Sequence, residues 1–382
     1  MKTPLSTLHL ASFNGVIRSL NMMMTFFFAI YFIQIGFSGA QIGLLFAINS
    51  ITSLITILPS GFSNDKFHSK NLISLSLIMM AIMYTGLAAT QNLILIAIVF
   101  LLGGIGRNIY STSIESLFYK TTNHETISKE IGTMHSTNYF IMGLSIIIGG
   151  YFLQQNISYE TIFLAIGIIF LFLLLIGQII LPINQITEFE IVHYKKDLFK
   201  KEIFFFMLIV FLFSLHIGAE LTSYGPFLKN YLKLNSLETG LYIGTAILFM
   251  VPVSKLIGQK LSRFQAKNIL KFGLLFSGLF HILMVNENVA LSFAFRALHE
   301  IGDSAVFFFL WFFTTKLFTA DRIGGNNSIG IFINALGATI SSIIFGQIAA
   351  NYGYHIPLII SGSTTLLAFL LVISFTHLID RK

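Results

Sequence analysis

The amino-acid sequence predicts an all-α polytopic membrane protein of twelve transmembrane helices, arranged as two six-helix bundles related by a parallel pseudo-twofold repeat. Three observations carry that prediction. Composition is the first: 55% of the 382 residues are apolar and only 10% are charged, whereas about a quarter of a soluble globular chain is charged. The second is a succession of twelve apolar stretches, at residues 8–35, 40–58, 71–89, 93–118, 131–153, 162–181, 203–224, 240–257, 269–285, 289–315, 325–350 and 356–378, near the ~20 residues that cross a bilayer as a helix. The third is an internal echo at an offset of 196 or 197 residues. Gly61, Lys66 and Lys70 after span 2 lie over Gly258, Arg263 and Lys267 after span 8; Lys120 lies over Lys316, and Gly104 to Arg107 lie over Glu300 to Asp303. Six spans per half leave both halves facing the same way, so the repeat is parallel, with its axis along the membrane normal.

Composition also removes function classes. A net charge of +7 suits nucleic acid only as a clustered basic face on a soluble domain, and no stretch is polar enough to build one. The absence of cysteine removes disulfides, thiolate chemistry and Cys-containing metal sites. No nucleophile with a base, phosphate loop, metal-ligand spacing or cofactor motif is found, so the chain reads as a non-enzyme with neither metal nor cofactor. Residues 1–10 hold one lysine and no small-residue cleavage site, and are not read as a signal peptide.

Taken in order, span 1 presents Asn14, Arg18, Asn21 and Thr25 at i, i+4, i+7 and i+11, a polar stripe on an apolar helix. Its asparagines serve either a bound solute or helix-to-helix hydrogen bonds. Span 4 holds Arg107, with Ser111 and Glu115 one and two turns on; Glu115 lies near the span end and is expected to pair with Lys120 or a loop base. Gly103-Gly104 and Gly149-Gly150 lie inside spans 4 and 5 and read as close helix contacts. Residues 1–183 form the first bundle, 184–201 a polar linker and 202–382 the second bundle. Span 7 places His216 and Glu220 one turn apart on one face. His135 in span 5 and His281 in span 9 read as satisfied by neighbours.

Span 10 carries the densest charge. Arg296, His299, Glu300 and Asp303 fall at i, i+3, i+4 and i+7, one stripe of a helix. A charge in the membrane interior costs several kcal/mol unless it is paired or wet, so the stripe is expected to line a polar pathway. Arg296 and Glu300 are spaced to pair, which leaves Asp303 as the unpaired group and His299 as a side chain able to change charge near neutral pH. Trp311 reads as an interfacial anchor.

Orientation follows from the basic residues. With the amino terminus in the cytoplasm, 18 of the 23 lysines and arginines fall on one set of loops and only Lys229 and Lys233 on the other. The positive-inside rule then predicts both termini in the cytoplasm. The remaining three, Arg18, Arg107 and Arg296, lie inside spans 1, 4 and 10.

The stretch Gly61 to Lys70, with Asp65 and Lys66 at its centre, resembles the Gly-x-x-x-Asp-Arg-x-x-x-Arg-Lys loop of the major facilitator superfamily. Gly258, Arg263 and Lys267 repeat it, with Ser262 in the acidic place. Gly103 to Arg107 resembles the family's buried-arginine motif, and Ser145-Ile146 departs from the Gly-Pro of its drug antiporters. The resemblance implies spans 1, 4, 7 and 10 around a central cavity and alternating access, with Gly61, Asp65, Lys66, Lys70, Gly258, Arg263 and Lys267 as a conformational gate. It also implies a multi-pass protein of the cytoplasmic membrane whose partners are a small-molecule substrate, protons and the lipid bilayer, with no nucleic acid, and which is expected to be a monomer. Arginine binds planar anions through paired donors, so an anionic organic solute is expected at Arg18, Asn14, Asn21, Arg296 and His216. Proton coupling is expected at Arg107, Asp303, Glu300, Glu220 and His299, with Arg107 and Asp303 approaching across the cavity. Efflux of amphipathic drugs in exchange for protons, lipid flipping and a transport-dead sensor are the alternatives.

Overall fold

The structure is a computed structural model that describes residues 6–25, 27–184, 186, 194, 200–261 and 266–375. Fourteen α-helices cover the described residues: α1 (Thr7–Thr25), α2 (Phe28–Gln34), α3 (Gly39–Lys66), α4 (Ser69–Ala89), α5 (Leu93–Thr121), α6 (Ile127–Gln154), α7 (Tyr159–Ile180), α8 (Lys201–Ala219), α9 (Ser236–Leu248), α10 (Met250–Lys260), α11 (Ala266–Leu283), α12 (Val289–Leu317), α13 (Ile323–Tyr352) and α14 (His355–Ser374). Ten helical stretches are long and apolar enough to cross a membrane. The other two crossings are α1 with α2, and α12, the two that carry the polar stripes.

Several boundaries differ from the sequence expectation, and proline accounts for two. The stretch expected to end at residue 58 runs on through Pro59 to Lys66, so Gly61, Asp65 and Lys66 sit on the last turns of a helix rather than in a loop. Span 8 divides into α9 and α10 at Phe249, because Pro252 has no N–H for the carbonyl of Leu248. Span 7 continues past residue 224 as two π-helical turns, Glu220–Tyr224 and Phe227–Tyr231, on either side of Pro226. Arg263 and most of the linker 184–201 lie outside the described residues.

The helices form two groups. In the first, α1 packs on α6, α3 on α5, and α4 on both α5 and α7; in the second, α8 packs on α13 and α14, and α11 on α12 and α14. Two seams join them, α6 against α9 and α10, and α3 against α13. The α6 seam is lined by glycine along its length. A Cβ on Gly132 would meet the Cα of Gly258 at 2.9 Å, one on Gly143 the carbonyl of Gly244 at 2.8 Å, and one on Gly150 the Cα of Gly240 at 3.1 Å. The α3 seam is tight at one end only. There a Cβ on Gly61 would strike Ser328 at 2.1 Å, whereas Gly43 and Gly346 near the opposite ends of the same helices have no atom within 4 Å of that position.

The tight end is the end that carries Lys66, Lys70, Lys120, Lys129 and Lys316, called here the basic end. Helix starts differ between the two ends. At the opposite end, Ser38, Asn92, Ser158, Asn235 and Asn288 each cap their own helix with a side-chain oxygen. At the basic end α4, α6, α8 and α13 have no such cap. Two of them borrow one: Asn184 Oδ1 accepts from Ser69 N at 2.7 Å, and Asp65 serves α13.

Candidate functional site

Asp65 is the centre of the basic-end closure. It is buried on α3, and its two oxygens accept from the backbone N–H groups of Gly324 at 3.1 Å and Gly325 at 2.7 Å, the free donors of the first turn of α13 in the other bundle. A carboxylate at a helix N-terminus also meets the positive end of the helix dipole. Lys120 Nζ of α5, 2.7 Å away, and the Tyr194 hydroxyl at 3.0 Å complete its shell. The basic partner of Asp65 is therefore Lys120; Lys66 is exposed and Lys70 donates to the carbonyl of Gln178. Trp311, expected as an interfacial anchor, instead joins this closure. Its ring meets Phe118 and Tyr119 at a tilt and His135 edge to face, and its carbonyl accepts from Tyr119 Oη at 3.3 Å.

One layer further in lies Arg18, halfway along α1, with its side chain 37% exposed between the bundles. Its Nη2 is 3.3 Å from Oε1 of Glu115 on α5, and Oε2 of the same carboxylate accepts from Asn327 Nδ2 on α13 at 2.9 Å. Glu115 thus ties three helices and both bundles. The expected pairing with Lys120 fails because Lys120 is held by Asp65. Arg107, two turns away on α5, donates to Asn49 of α3 and touches the sulfur of Met83 at 3.3 Å. Asn14 is buried and accepts from Tyr110 Oη at 2.9 Å, and Asn21 accepts from Tyr84 Oη at 3.4 Å. Both asparagines serve helix contacts, and Asn14 does not face the space between bundles.

The second half concentrates its charge inside the bundle, between α8, α11 and α12. Arg296 bridges two carboxylates, Glu220 on the π-helical turn that follows α8 and Glu300 one turn along α12 at 2.5 Å, with its guanidinium over the Tyr224 ring at 4.3 Å. The Arg296 to Glu300 pair matches the expectation, and Glu220 joins it. Asp303 Oδ2 lies 3.2 Å from His216 Nε2 and 3.5 Å from His299 Nε2, and His299 Nε2 lies 3.3 Å from Glu220 Oε1. His281 stands behind them, held by Ser361 Oγ at 3.0 Å. His299 and Asp303 are 0% and 5% exposed, and Glu220, the most open member, 17%.

Three expectations are corrected by this placement. The stripe on α12 does form, yet it faces α8 and α11 rather than an open pathway, because those helices and the turn after α8 supply the groups that contact it. Asp303 is not the unpaired group and does not approach Arg107; each is engaged within its own bundle. His216, expected at a solute, is buried against Asp303. Lys267 is on α11 and Gly258 on α10, where it contacts α6. The sequence search found no metal-ligand cluster, and the fold creates two groups able to hold an ion, His216 with His299 and Asp303, and Glu220 with His281 and His299. The signal in the sequence was three histidines on three spans whose depths the helix pairing equalises.

Comparison with known proteins bears on the architecture. The human organic anion transporter MFSD10 (TETRAN) superposes with a TM-score of 0.73 at 14% identity, covering 96% of each chain. A bacterial homologue of the iron transporter ferroportin, in its outward-facing state, gives 0.72 at 14% identity over 98% of this chain and 100% of that one. At such identities the likeness concerns the fold. The uncharacterized MFS-type transporter YqjV of Bacillus subtilis (strain 168) is 28% identical over 101 residues, 26% of this chain and only 25% of that relative's length. The sequence profile described as Major Facilitator Superfamily matches residues 11–285. Two bundles in parallel repeat, a carboxylate from span 2 capping span 11, and a profile match over more than half its length establish that this chain belongs to the Major Facilitator Superfamily.

Proposed function

We propose that the chain is a secondary active transporter that carries a small organic anion together with a proton by alternating access. The observation that carries the reading is the bond between Arg18 and Glu115. Arg18 is a cation of the first bundle whose side chain is 37% exposed, and its planar fork suits a carboxylate or phosphate. An incoming anion competes with Glu115 for that fork. Once displaced, Glu115 is a charge in the membrane interior without its cation, a cost of several kcal/mol that proton uptake removes. Anion and proton then enter together, and the two bindings are linked reciprocally. Loss of the Glu115 charge also weakens its bond to Asn327, so loading loosens a tie between bundles next to the Asp65 closure. Asp65 holding the first turn of α13 supports the basic end as the gate, and the lysine distribution supports that end as cytoplasmic.

A thermal-shift screen of the purified chain against carboxylates, phosphates, sugars and cationic dyes identifies the solute, since ligands stabilise in proportion to occupancy. Stabilisation by cationic dyes alone refutes the anion reading. With the solute in hand, Glu115→Gln in proteoliposomes is expected to lose accumulation driven by a pH gradient while keeping exchange between equal pools. Proton-driven accumulation that survives removes Glu115 from the coupling role. Single cysteines test the orientation against a cysteine-free background: one at Gln91 reacts with an impermeant thiol reagent outside cells and one at His124 does not, and the reverse pattern inverts the topology.

A further inference from the structure

We infer that His216, His299 and Asp303 form a binding site for one divalent transition-metal ion of the zinc class, buried in the second bundle. The inference stands on the geometry of that bundle and is independent of the anion reading. Its starting point is the direction of the imidazole lone pairs. His299 Nδ1 lies 2.8 Å from the carbonyl oxygen of Ser277, and His216 Nδ1 bonds the carbonyl oxygen of Phe213. A carbonyl only accepts, so both Nδ1 atoms carry the hydrogen and the two Nε2 atoms are the positions left to ligate, that of His299 lying also 3.4 Å from His281 Nδ1. His216 Nε2 is in hydrogen-bond geometry with Asp303 Oδ2 at 3.2 Å, and His299 Nε2 lies 3.5 Å from the same oxygen. Two imidazole nitrogens and a carboxylate oxygen thus lie within 4.8 Å of one another, an arrangement that a cation between them stabilises.

The charge of the surroundings leads to the same place. Arg296 is the one guanidinium in the cluster, and it is shared by Glu220 and Glu300. Three carboxylates against one arginine leave two negative charges to be met by protons on the imidazoles or by a bound cation. Asp303 has no arginine or lysine in its contacts, and its second oxygen, Oδ1, is buried without a hydrogen-bond partner among the described residues. One divalent ion removes the whole excess.

The spacing fits as well. Bonds of about 2.0–2.1 Å at tetrahedral angles set ligand atoms roughly 3.3–3.4 Å apart, and the two contacts to Asp303 are 3.2 and 3.5 Å. Imidazole and carboxylate donors in this ratio suit zinc, and also cobalt, nickel or iron in the divalent state. Backbone carbonyls behind both histidines supply the outer-shell orientation that metal-bound imidazoles use. The alternative trio of Glu220, His281 and His299 competes for the same His299 Nε2, but Glu220 is already bound by Arg296. Glu220, as the most open member, marks the side from which an ion reaches the pocket.

The test uses the full chain, purified, stripped with a chelator and titrated with Zn2+ alone by calorimetry, with Co2+ as a spectroscopic substitute. One Zn2+ per chain is expected, with a rise in melting temperature and a four-coordinate Co2+ absorption band. Asp303→Asn, which keeps the shape of the side chain, and the double variant His216→Ala/His299→Ala should each weaken Zn2+ at least ~10-fold, since even outer-shell losses cost that much. His124→Ala, at an exposed turn, should bind as the parent does. If the parent takes up no Zn2+, the excess charge is met by protons and the inference fails. It fails equally if the double variant binds Zn2+ undiminished, for the ion then sits on other histidines. Where the double variant does not fold, Asp303→Asn decides between the same outcomes.

Discussion

The two halves descend from one pattern, and they treat their buried charges in opposite ways. In the first half Arg18 and Glu115 form a single pair at the floor of the space between bundles, with one partner partly wet and the other tied across to α13. In the second half one arginine, three carboxylates and three imidazoles close on each other inside the bundle. The first arrangement is exchangeable: a solute can replace Glu115 at Arg18 without entering a helix interface. The second is a closed network whose members hold one another inside the helix interface. The lesson is that the number of charges in a membrane span says less about contact with solute than which neighbours share them.

Substitution of the two arginines should separate the halves most sharply. Arg296→Met strands Glu220 and Glu300, and breaking a buried pair in this way costs ~3–5 kcal/mol, to be read as a large fall in thermal stability. Arg18→Met strands a single carboxylate, Glu115, which proton uptake can neutralise. It should lower the melting temperature less than Arg296→Met does and abolish solute binding. Equal destabilisation by the two would erase the distinction drawn here.

The gate should respond next. Asp65→Asn keeps one acceptor oxygen, turns an NH2 donor toward the second glycine N–H, and loses the charge facing Lys120 and the helix dipole, a contribution of up to ~2 kcal/mol. Because that energy acts between bundles, the expected result is a shift of conformation: a cysteine at Asn327 becomes more reactive from the basic end. An unchanged labelling rate would place the closure elsewhere, with Trp311 and its aromatic neighbours the first alternative.

Glycine replacements give a smaller effect and compare the two seams. Gly132→Ala puts a methyl group 2.9 Å from the Cα of Gly258, an overpacking cost of ~1–3 kcal/mol. Gly43→Ala meets no atom within 4 Å and replaces glycine inside a helix, which favours the folded state by up to ~1 kcal/mol. The expected outcome is opposite signs in a thermal melt, and a loss of stability in both would show that α3 and α13 do not part at that end.

Sequence by itself determined the membrane class, the twelve crossings, the duplication and the identity of the buried charges. These depend on composition and on periodicity along one chain, and both are local. It also placed Arg296 with Glu300 correctly, because a pair four residues apart needs only the helix. It missed Lys120 as the partner of Asp65, Glu115 as the partner of Arg18, and the meeting of His216 with Asp303, each of which joins residues 55 to 97 positions apart. Those pairings depend on how helices rotate about their axes when they pack, and a rotation of one residue, about 100°, sends a side chain to a different neighbour. The hydrophobic stripe ordinarily reports that rotation, but these helices are apolar on nearly every face. Only the tertiary structure decided which carboxylate each cation meets, and so which half is open to solute and which is sealed.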